Sequence, residues 1–244
     1  MKKFVIGDIH GGLKALVQVL NKIKFTSDDT LIFLGDYVDG WSESPAVLDY
    51  LIELQKRQKC IFIRGNHDEL VLDWLTENNQ NIDKSLWYQH GGEATVLSYQ
   101  YIDNETKAKH IVFLKSLQNY HLDENNRLYL HAGFSNLKGV AHEHFKPLFY
   151  WDRTLWEMAM ALDRNLSSES IYYPKRLKIY HEIFIGHTPV TYINEEVPVN
   201  FANVWNVDTG AAFKGKLTIM DVVSKEFEQS DPLPDLYPNE KGRN

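Results

Sequence analysis

The chain has 244 residues, 43% of them hydrophobic, which suits one large α/β domain. Its formal net charge of −7 at pH 7 argues against a nucleic-acid backbone as the main partner. Its single cysteine, Cys60, lies in the apolar run CIFI, which excludes an internal disulfide framework and suits a reducing compartment. No apolar run approaches membrane-spanning length, and the one at the amino terminus is too short for a signal peptide, so we expect a cytoplasmic protein without a membrane partner.

Short apolar runs alternate with amphipathic segments through the first part of the chain. They predict, in order, a strand over Lys3–Gly7, a helix over Gly12–Lys24, a strand over Thr30–Gly35, a helix over Pro45–Lys56 and a strand over Lys59–Arg64. Continuously apolar strands that alternate with amphipathic helices indicate a parallel sheet covered on both faces. All three strands then end at one edge of that sheet.

Past the third strand the pattern becomes helical and then returns to strands. The stretch from Glu69 to Tyr120 predicts helices with a break at His90-Gly91-Gly92. The runs RLYLHAG, EIFIGHT, VWNVDTG and KLTIMDV predict strands that either complete the first sheet or add a second one. We expect one domain over residues 1–230, followed by an extended or mobile tail over residues 231–244, which are rich in proline and charge.

Side chains able to bind metals follow five of the predicted strands. The first three strands run into GDIHG, GDYVDG and RGNHD, and two later ones run into HAG and GHT. Because ligands bind at the carboxyl ends of strands in open parallel sheets, these side chains should meet in one crevice. The residues concerned are Asp8, His10, Asp36, Asn66, His67, His131 and His187.

Carboxylate, imidazole and amide donors without thiolates predict an open metal site rather than a closed structural zinc site. Asp8 and His10 are two residues apart at a strand end, so both can point to the same side and bind one ion. The potential ligands exceed what one open site needs, and Asp36 can bridge with its two oxygens. We therefore expect two divalent ions roughly 3.5–4 Å apart, with Mn preferred and Fe or Zn as alternatives.

The charge of such a centre predicts an anionic substrate. Two divalent ions bring four positive charges, while Asp8, Asp36 and a bridging hydroxide remove three of them, so a surplus of one remains. A phosphate ester fits this surplus, with a metal-activated hydroxide as the nucleophile. His67, oriented and kept protonated by Asp39, is then expected to donate a proton to the departing alkoxide.

The motifs GDIHG, GDYVDG, RGNHD, HAG and GHT, in this order and at these spacings, resemble those of the phosphoprotein phosphatase family within the calcineurin-like metallophosphoesterases, over about Lys3 to Gly210. The resemblance implies an α/β fold of four layers (αββα), a β-sandwich flanked by helices. It also implies one metal held by Asp8, His10 and Asp36, a second held by Asp36, Asn66, His131 and His187, and an acid pair of His67 with Asp39. The stretches HGGEATVLSY and VDTGA look like the bacterial branch, which includes serine/threonine protein phosphatases and symmetrical diadenosine tetraphosphate hydrolases.

One position departs from the family pattern. The family usually has an arginine after the second aspartate, where it binds substrate phosphate, and this chain has Gly40. Arg64 and Arg153 match other positions at which family members carry phosphate-binding arginines, so the resemblance implies that two cationic contacts remain. We expect the space at Gly40 to face backbone N–H groups of the helix that begins near Ser44, or to admit a bulkier substrate.

The sequence predicts a two-metal phosphatase that hydrolyses phosphomonoesters. The substrate is expected to be a phosphoprotein or a small phosphoester, and the preferred substrate class is phosphoserine or phosphothreonine in proteins. A hydrolase of dinucleoside polyphosphates such as diadenosine tetraphosphate is the main alternative, and a nuclease is disfavoured by the acidic balance. An alternative from another class is a catalytically silent phosphoprotein-binding module, suggested by Gly40 alone. The intact set of metal-binding side chains argues against it.

Overall fold

Two five-stranded β-sheets form the centre of the fold in the computed structural model, which describes residues 1–78 and 83–243. The strands of the first sheet, in spatial order, are β10 (Phe227–Gln229), β9 (Thr218–Asp221), β1 (Lys3–Ile6), β2 (Thr30–Phe33) and β3 (Lys59–Phe62). Those of the second are β4 (Tyr120–Leu122), β5 (Arg127–Leu130), β6 (Glu182–Ile185), β8 (Val204–Asn206) and β7 (Val199–Phe201). As predicted, β1, β2 and β3 are parallel.

Helices cover the outer face of each sheet. In chain order they are α1 (Leu13–Lys22), α2 (Ser44–Leu54), α3 (Asn66–Leu75), α4 (Lys84–Trp87), α5 (Glu93–Ser98), α6 (Asn104–Ser116), α7 (Leu148–Trp151), α8 (Thr154–Ala161) and α9 (Leu233–Leu236). Between α4 and α5 the backbone kinks at Gly91, where φ is +100°, which confirms the predicted break. Within residues 1–78 and 83–243, every helix is too short or too polar to span a bilayer.

Side chains along the strands alternate between the two faces of each sheet, as the two-residue period of a strand requires. In β1, Phe4 and Ile6 pack with the helices over the first sheet, whereas Val5 packs in a cluster between the sheets. Tyr129 of β5 and Phe184 of β6 enter the same cluster from the second sheet, with their rings stacked at 5.1 Å between centroids. The layers are therefore helix, sheet, sheet and helix, which confirms the expected four-layer α/β fold.

The second half of the chain supplies strands to both sheets. The parallel strands β5, β6 and β8 build the second sheet, with β4 and β7 antiparallel at its edges. In contrast, β9 joins β1 antiparallel and β10 follows it, so the first sheet is extended as well. The two possibilities left open by the sequence are thus both realised.

Residues 231–243 differ from the expected extended or mobile tail. They include α9, and Leu233 and Tyr237 are only 0% and 2% exposed. The ring of Tyr237 stacks on Trp41 with 5.2 Å between centroids, and the backbone N–H of Arg243 donates to the carbonyl oxygen of Ala212 at 2.9 Å. Apolar side chains spaced among the prolines pack this segment against the core between the first sheet and its helices. Composition alone did not reveal them.

Candidate metal centre

The loops that follow β1, β2, β3, β5 and β6 meet at one edge of the sandwich. They bring together the seven predicted side chains, each of which is at most 9% exposed. These residues are Asp8, His10, Asp36, Asn66, His67, His131 and His187. The first sheet contributes five of them and the second sheet contributes two, so the cluster depends on both sheets.

Four of the predicted site residues adopt backbone conformations that non-glycine residues rarely take. The angle φ is +52° at His10, +52° at Asp36, +67° at Asp39 and +68° at His187. A left-handed residue costs roughly 1–2 kcal/mol and persists where the surrounding structure holds it, which is common at functional sites. These turns aim the side chains at one point instead of along the strands.

Two glycines let the loops approach each other closely. A Cβ atom at Gly65 would collide with Oδ1 of Asp36, and a Cβ atom at Gly186 would collide with Oδ1 of Asp8. Glycine is therefore required at both positions for these carboxylates to occupy their places.

Asp36 lies between two histidines. Its Oδ2 atom is 3.4 Å from Nε2 of His10 and 3.4 Å from Nε2 of His131. Among the described residues, two sets of three donor atoms lie within 4.8 Å of one another, one from His10, Asp36 and His67 and one from Asp36, His131 and His187. Since Asp36 belongs to both sets, its carboxylate has the position that a ligand bridging two ions needs.

Backbone carbonyl groups determine which ring nitrogen of two histidines faces the site. The Nδ1–H of His10 donates to the carbonyl oxygen of Asp39 at 3.0 Å, and the Nδ1–H of His131 donates to that of Leu34 at 2.9 Å. Because a carbonyl oxygen can only accept, Nδ1 carries a proton in both rings. The Nε2 atom of each ring is therefore directed at Asp36, which is the orientation expected of metal-binding histidines.

The remaining donors complete the cluster. The Oδ1 atom of Asn66 lies 3.2 Å from Nε2 of His131 and 2.9 Å from Nδ1 of His187. Asp8 accepts the backbone N–H of His187 at 3.1 Å through Oδ2, and the same oxygen lies 3.8 Å from Nε2 of His10. The Oδ1 atom of Asp8 is buried without a hydrogen-bond partner, as is Nε2 of His187. A cation would satisfy this orphaned carboxylate oxygen.

Negative charge accumulates around the cluster, and no lysine or arginine of the described residues forms an ion pair with it. Five carboxylates, each at most 2% exposed, lie in or beside it, namely Asp8, Asp36, Asp39, Asp68 and Asp208. None of them pairs with a lysine or arginine within residues 1–78 and 83–243. Burial raises the pKa of Asp8 well above its ordinary value, and the charge of Asp208 adds to the rise. The Asp and His groups are thus placed for binding metal ions, and bound cations would offset the buried negative charge.

The buried carboxylates also shift the pKa values of the histidines beside them. Burial lowers the pKa of His131, but the charges of Asp36 and Asp8 outweigh it and raise the pKa to about 10. At His10 and His187 burial dominates and holds the pKa well below its ordinary value, although Asp36 opposes it. These two rings are neutral and ready to bind an ion, whereas His131 must first release a proton.

His67 and Asp39 form a hydrogen-bonded pair beside the cluster. The Nδ1 atom of His67 lies 2.7 Å from Oδ2 of Asp39, which is fully buried. The backbone N–H of Asp39 donates to the hydroxyl oxygens of Ser44 and Thr95, both at 3.1 Å, which fixes the turn that carries the carboxylate. Since Asp39 engages Nδ1, the other ring nitrogen of His67 is left for the substrate side.

A cavity of about 280 Å³ opens onto the cluster. Asp36, Asn66, His67 and His187 form its polar floor. Arg153, one of the two predicted phosphate-binding arginines, lies in the wall of this cavity. The structure therefore brings Arg153 into the cleft.

Arg64 is placed differently from the expectation and does not line the cavity. Its guanidinium pairs with the carboxylate of Glu69, and its Nη2 donates to the carbonyl oxygen of Leu114 at 3.2 Å. The side chain is only 15% exposed. The side chain of Arg64 therefore links α3 to α6, and Glu69 neutralises its charge. These contacts hold Arg64 away from the cleft.

Trp87 and Asp68 contact the site and were missed by the sequence reasoning. The indole Nε1–H of Trp87 donates to Oδ2 of Asp39 at 2.6 Å. Asp68 accepts the backbone N–H groups of Gly65 and Asp36, both at 2.8 Å, and so ties two metal-binding loops together. Asp68 stands in RGNHD as the third residue of α3, where an acidic side chain commonly turns back onto the helix start, so a capping argument could have found it. No motif marks Trp87.

The surroundings of Gly40 also differ from the expectation. The atoms nearest to a Cβ at this position are the carbonyl oxygen of His10 at 3.2 Å, Cβ of His10 at 3.4 Å and Cγ of Arg243 at 3.5 Å. An arginine of the C-terminal segment therefore borders the space, and no N–H group of α2 is among the three nearest atoms. Nothing in the local sequence around Gly40 could have indicated this contact.

Comparisons with known proteins agree with this geometry. The pattern of the calcineurin-like phosphoesterase family matches residues 1–210. The bis(5'-nucleosyl)-tetraphosphatase PrpE (asymmetrical) of Anoxybacillus flavithermus is 28% identical over 233 residues, which cover 88% of each chain. The serine/threonine-protein phosphatase 1 of Salmonella typhimurium is 28% identical over 220 residues, which cover 88% of this chain and 89% of the relative.

Solved structures show the same fold at low sequence identity. A protein serine/threonine phosphatase from Saccharomyces cerevisiae superposes with a TM-score of 0.63 at 16% identity, covering 95% of this chain and 80% of that one. A metallophosphoesterase from Sphaerobacter thermophilus gives a TM-score of 0.54 at 15% identity, with 95% and 89% covered. The family pattern, found in a chain whose strand ends gather Asp and His donors, shows that this protein belongs to the calcineurin-like phosphoesterase family.

Proposed function

We propose that the protein is a two-metal phosphatase that hydrolyses phosphate monoesters in the cleft at the strand ends. The observation that carries the proposal is the position of Asp36, whose Oδ2 lies 3.4 Å from a histidine nitrogen on each side. In this proposal Asp8, His10 and Asp36 hold the first ion, and Asp36, Asn66, His131 and His187 hold the second. Mn is the preferred metal, with Fe or Zn as alternatives.

Bound divalent ions would polarise the phosphoryl oxygens and supply a water nucleophile at neutral pH. The side chains of the cavity wall bind and orient the ester. The guanidinium of Arg153 faces the cavity and has no hydrogen-bonded or ion-paired partner among the described residues, so it is available to phosphate oxygens.

His67 supplies the proton for the leaving group. Its Nδ1–H donates to Oδ2 of Asp39 at 2.7 Å, so the Nε2–H of the protonated ring can pass its proton to the departing oxygen as the P–O bond breaks. The indole of Trp87 donates to the same carboxylate oxygen at 2.6 Å and fixes its direction. Solvent then restores the ring proton before the next turnover.

Phosphoserine and phosphothreonine in proteins are the first substrate class that we propose. An alkoxide leaves poorly without a proton, whereas a nucleotide leaves as a stable anion, so the acid pair of His67 and Asp39 favours alkyl phosphate esters. The relative named serine/threonine-protein phosphatase 1 also supports this class.

Dinucleoside polyphosphates are the second candidate, and the wall of the cavity favours them. Leu70, Leu86, Trp87 and Trp151 line it beside the polar floor, and Trp151 is 48% exposed. Aromatic faces of this kind can stack on a nucleobase while the phosphates reach the centre. The relative named bis(5'-nucleosyl)-tetraphosphatase PrpE supports this candidate as well.

A parallel substrate assay tests the proposal. Wild type and Asp8→Asn are supplied with Mn²⁺ and incubated with a phosphothreonine peptide, diadenosine tetraphosphate and p-nitrophenyl phosphate. We expect the peptide to be turned over best by the wild type and no substrate to be hydrolysed by Asp8→Asn. Preferred cleavage of diadenosine tetraphosphate would select the second candidate. Metal-loaded protein without turnover on any substrate would favour a phosphoprotein-binding module, and activity that survives Asp8→Asn would rule out the proposed site.

A further inference from the structure

Arg243 belongs to the C-terminal segment, yet it lines the same cavity as His67 and His187. Its backbone N–H donates to the carbonyl oxygen of Ala212 at 2.9 Å. Upstream in the segment, Glu240 accepts from the hydroxyl of Ser42 at 2.8 Å. The arginine is therefore delivered by an anchored piece of chain, and its position in the cavity wall is defined.

The stem of Arg243 crosses two glycines. Its Cγ atom lies 3.5 Å from the place of a Cβ at Gly40 and 3.0 Å from that at Gly91. Both glycines have left-handed backbones, with φ of +115° and +100°, and the N–H of Gly40 donates to the carbonyl oxygen of Gly91 at 3.1 Å. The pair forms a passage without side chains, and this passage admits the arginine from the far end of the chain.

Arg243 forms no ion pair with any residue that the structure describes, although its charge acts at longer range on the buried carboxyl of Asp208. Its guanidinium has no carboxylate partner within residues 1–78 and 83–243, and its buried Nε has no hydrogen-bond partner. The contacts that it does make are weak, because Nη2 lies 3.4 Å from Nδ1 of His90 and Cζ lies 5.2 Å from the ring centroid of Phe213. A partly buried cation beside a cavity, without an ion-paired carboxylate among residues 1–78 and 83–243, is suited to an anionic ligand.

We propose that Arg243 binds the phosphoryl oxygens of the substrate together with Arg153, and that it supplies from the C-terminal segment the positive charge that Gly40 does not provide. Both arginines line the one cavity whose floor contains Asp36, Asn66 and His67. This inference rests on the proposed phosphatase function, because it assigns a substrate-binding role within the same cleft. It makes the C-terminal segment part of the active site.

The test measures phosphate binding and catalysis in the full-length, Mn²⁺-loaded protein. Inorganic phosphate is titrated calorimetrically into wild type, Arg243→Ala, Arg243→Gln and the control Arg57→Ala, and the KM for p-nitrophenyl phosphate is measured on the same samples. Arg57 is exposed, follows α2 and does not line the cavity, so its loss matches the change of charge alone. Metal content and Tm are recorded for each variant.

We expect Arg243→Ala to raise the Kd for phosphate and the KM by about tenfold or more, at unchanged metal content, and Arg57→Ala to leave both within twofold. Arg243→Gln, which keeps most of the stem over Gly40 and Gly91, should behave like Arg243→Ala and decides the question if the alanine variant does not fold. Folded, metal-loaded variants of Arg243 with wild-type phosphate affinity and KM overturn the inference, as does a wild type that binds no phosphate. A wild type that binds phosphate without turnover refutes the proposed function, while the binding data still decide the role of Arg243.

Discussion

His131 meets Asp36 across the two sheets, with 3.4 Å between Nε2 of the histidine and Oδ2 of the aspartate. His131 follows β5 in the second sheet, and Asp36 follows β2 in the first. The opposite ring nitrogen of His131 also reaches the first sheet, where it donates to the carbonyl oxygen of Leu34 at 2.9 Å. An ion bound between these side chains would join the sheets, so its binding should stabilise the whole fold.

Removal of metal should therefore lower the Tm. At a free metal concentration 100 times the Kd, each site contributes about 2.7 kcal/mol, which corresponds to about 5–10 °C in Tm for a chain of this size. Differential scanning calorimetry with Mn²⁺ and with excess chelator measures the difference. Asp36→Asn is the control, because its Tm should not respond to the chelator. A wild type with the same Tm under both conditions would contradict the proposed centre.

The metal-free protein should lose stability as pH rises above 6.5. His131 has its pKa raised to about 10 by Asp36 and Asp8 against the effect of burial, and burial, with Asp36 adding to it, raises the pKa of Asp68 to about 7. Between pH 6.5 and about 10 the unfolded chain has released the proton of His131, whereas the folded chain still holds it. For Asp68 the corresponding range runs from its ordinary pKa of 3.8 up to about 7, so this group contributes only at the lower end of the range. The folded state then binds more protons than the unfolded state, so the free energy of unfolding falls with pH. His10 and His187 act in the opposite direction, but only below pH 6.5, because their pKa is lowered.

Urea unfolding of the metal-free protein at several pH values between 6.5 and 8.5 measures this slope. Saturating Mn²⁺ should reduce or reverse it, because the ion competes with the proton on His131. A free energy of unfolding that rises with pH in the metal-free protein would show that these groups are not protonated in the folded state.

His67→Asn should slow the reaction according to the leaving group. We expect kcat on a phosphothreonine peptide to fall by about 100-fold or more, and kcat on p-nitrophenyl phosphate to fall much less, because nitrophenolate departs without a proton. His67 also belongs to one of the two clusters of donor atoms, so metal content must be measured on the same sample. Equal losses on both substrates together with a lost ion would make His67 a ligand and not the acid.

Trp87→Phe should impair the acid pair without touching the metal ligands. The substitution removes the indole donor that lies 2.6 Å from Oδ2 of Asp39 and leaves that buried carboxylate less satisfied, which costs about 1–3 kcal/mol of stability. It should lower kcat on the phosphothreonine peptide more than on p-nitrophenyl phosphate. Trp74→Phe is the matched control, since Trp74 packs against Trp87 at 5.9 Å between ring centroids without being a donor to Asp39. Equal effects of the two substitutions would assign Trp87 to packing alone.

The sequence predicts the parts of this protein that are specified locally. Each metal-capable residue comes shortly after an apolar run and lies within two residues of a glycine. The strand, the turn and the donor are therefore all predicted from one short stretch, as in the sequence around Asp36. The antiparallel entry of β9 next to β1 is not specified in this way, because the partners lie more than 200 residues apart. The contact of Trp87 with Asp39 and the position of Arg243 over Gly40 are likewise not specified by the local sequence. Such contacts depend on how distant segments pack, and no periodicity or motif reports them.

Metal stoichiometry tests the central claim most directly. Elemental analysis of folded wild type and Asp36→Asn, each equilibrated with Mn²⁺ and freed of unbound ions, counts the ions per chain. We expect about two ions per wild-type chain and the loss of both, or nearly both, from Asp36→Asn, because this carboxylate lies between the two donor sets. A folded wild type that retains no ion, or an Asp36→Asn variant that retains two, would contradict the account.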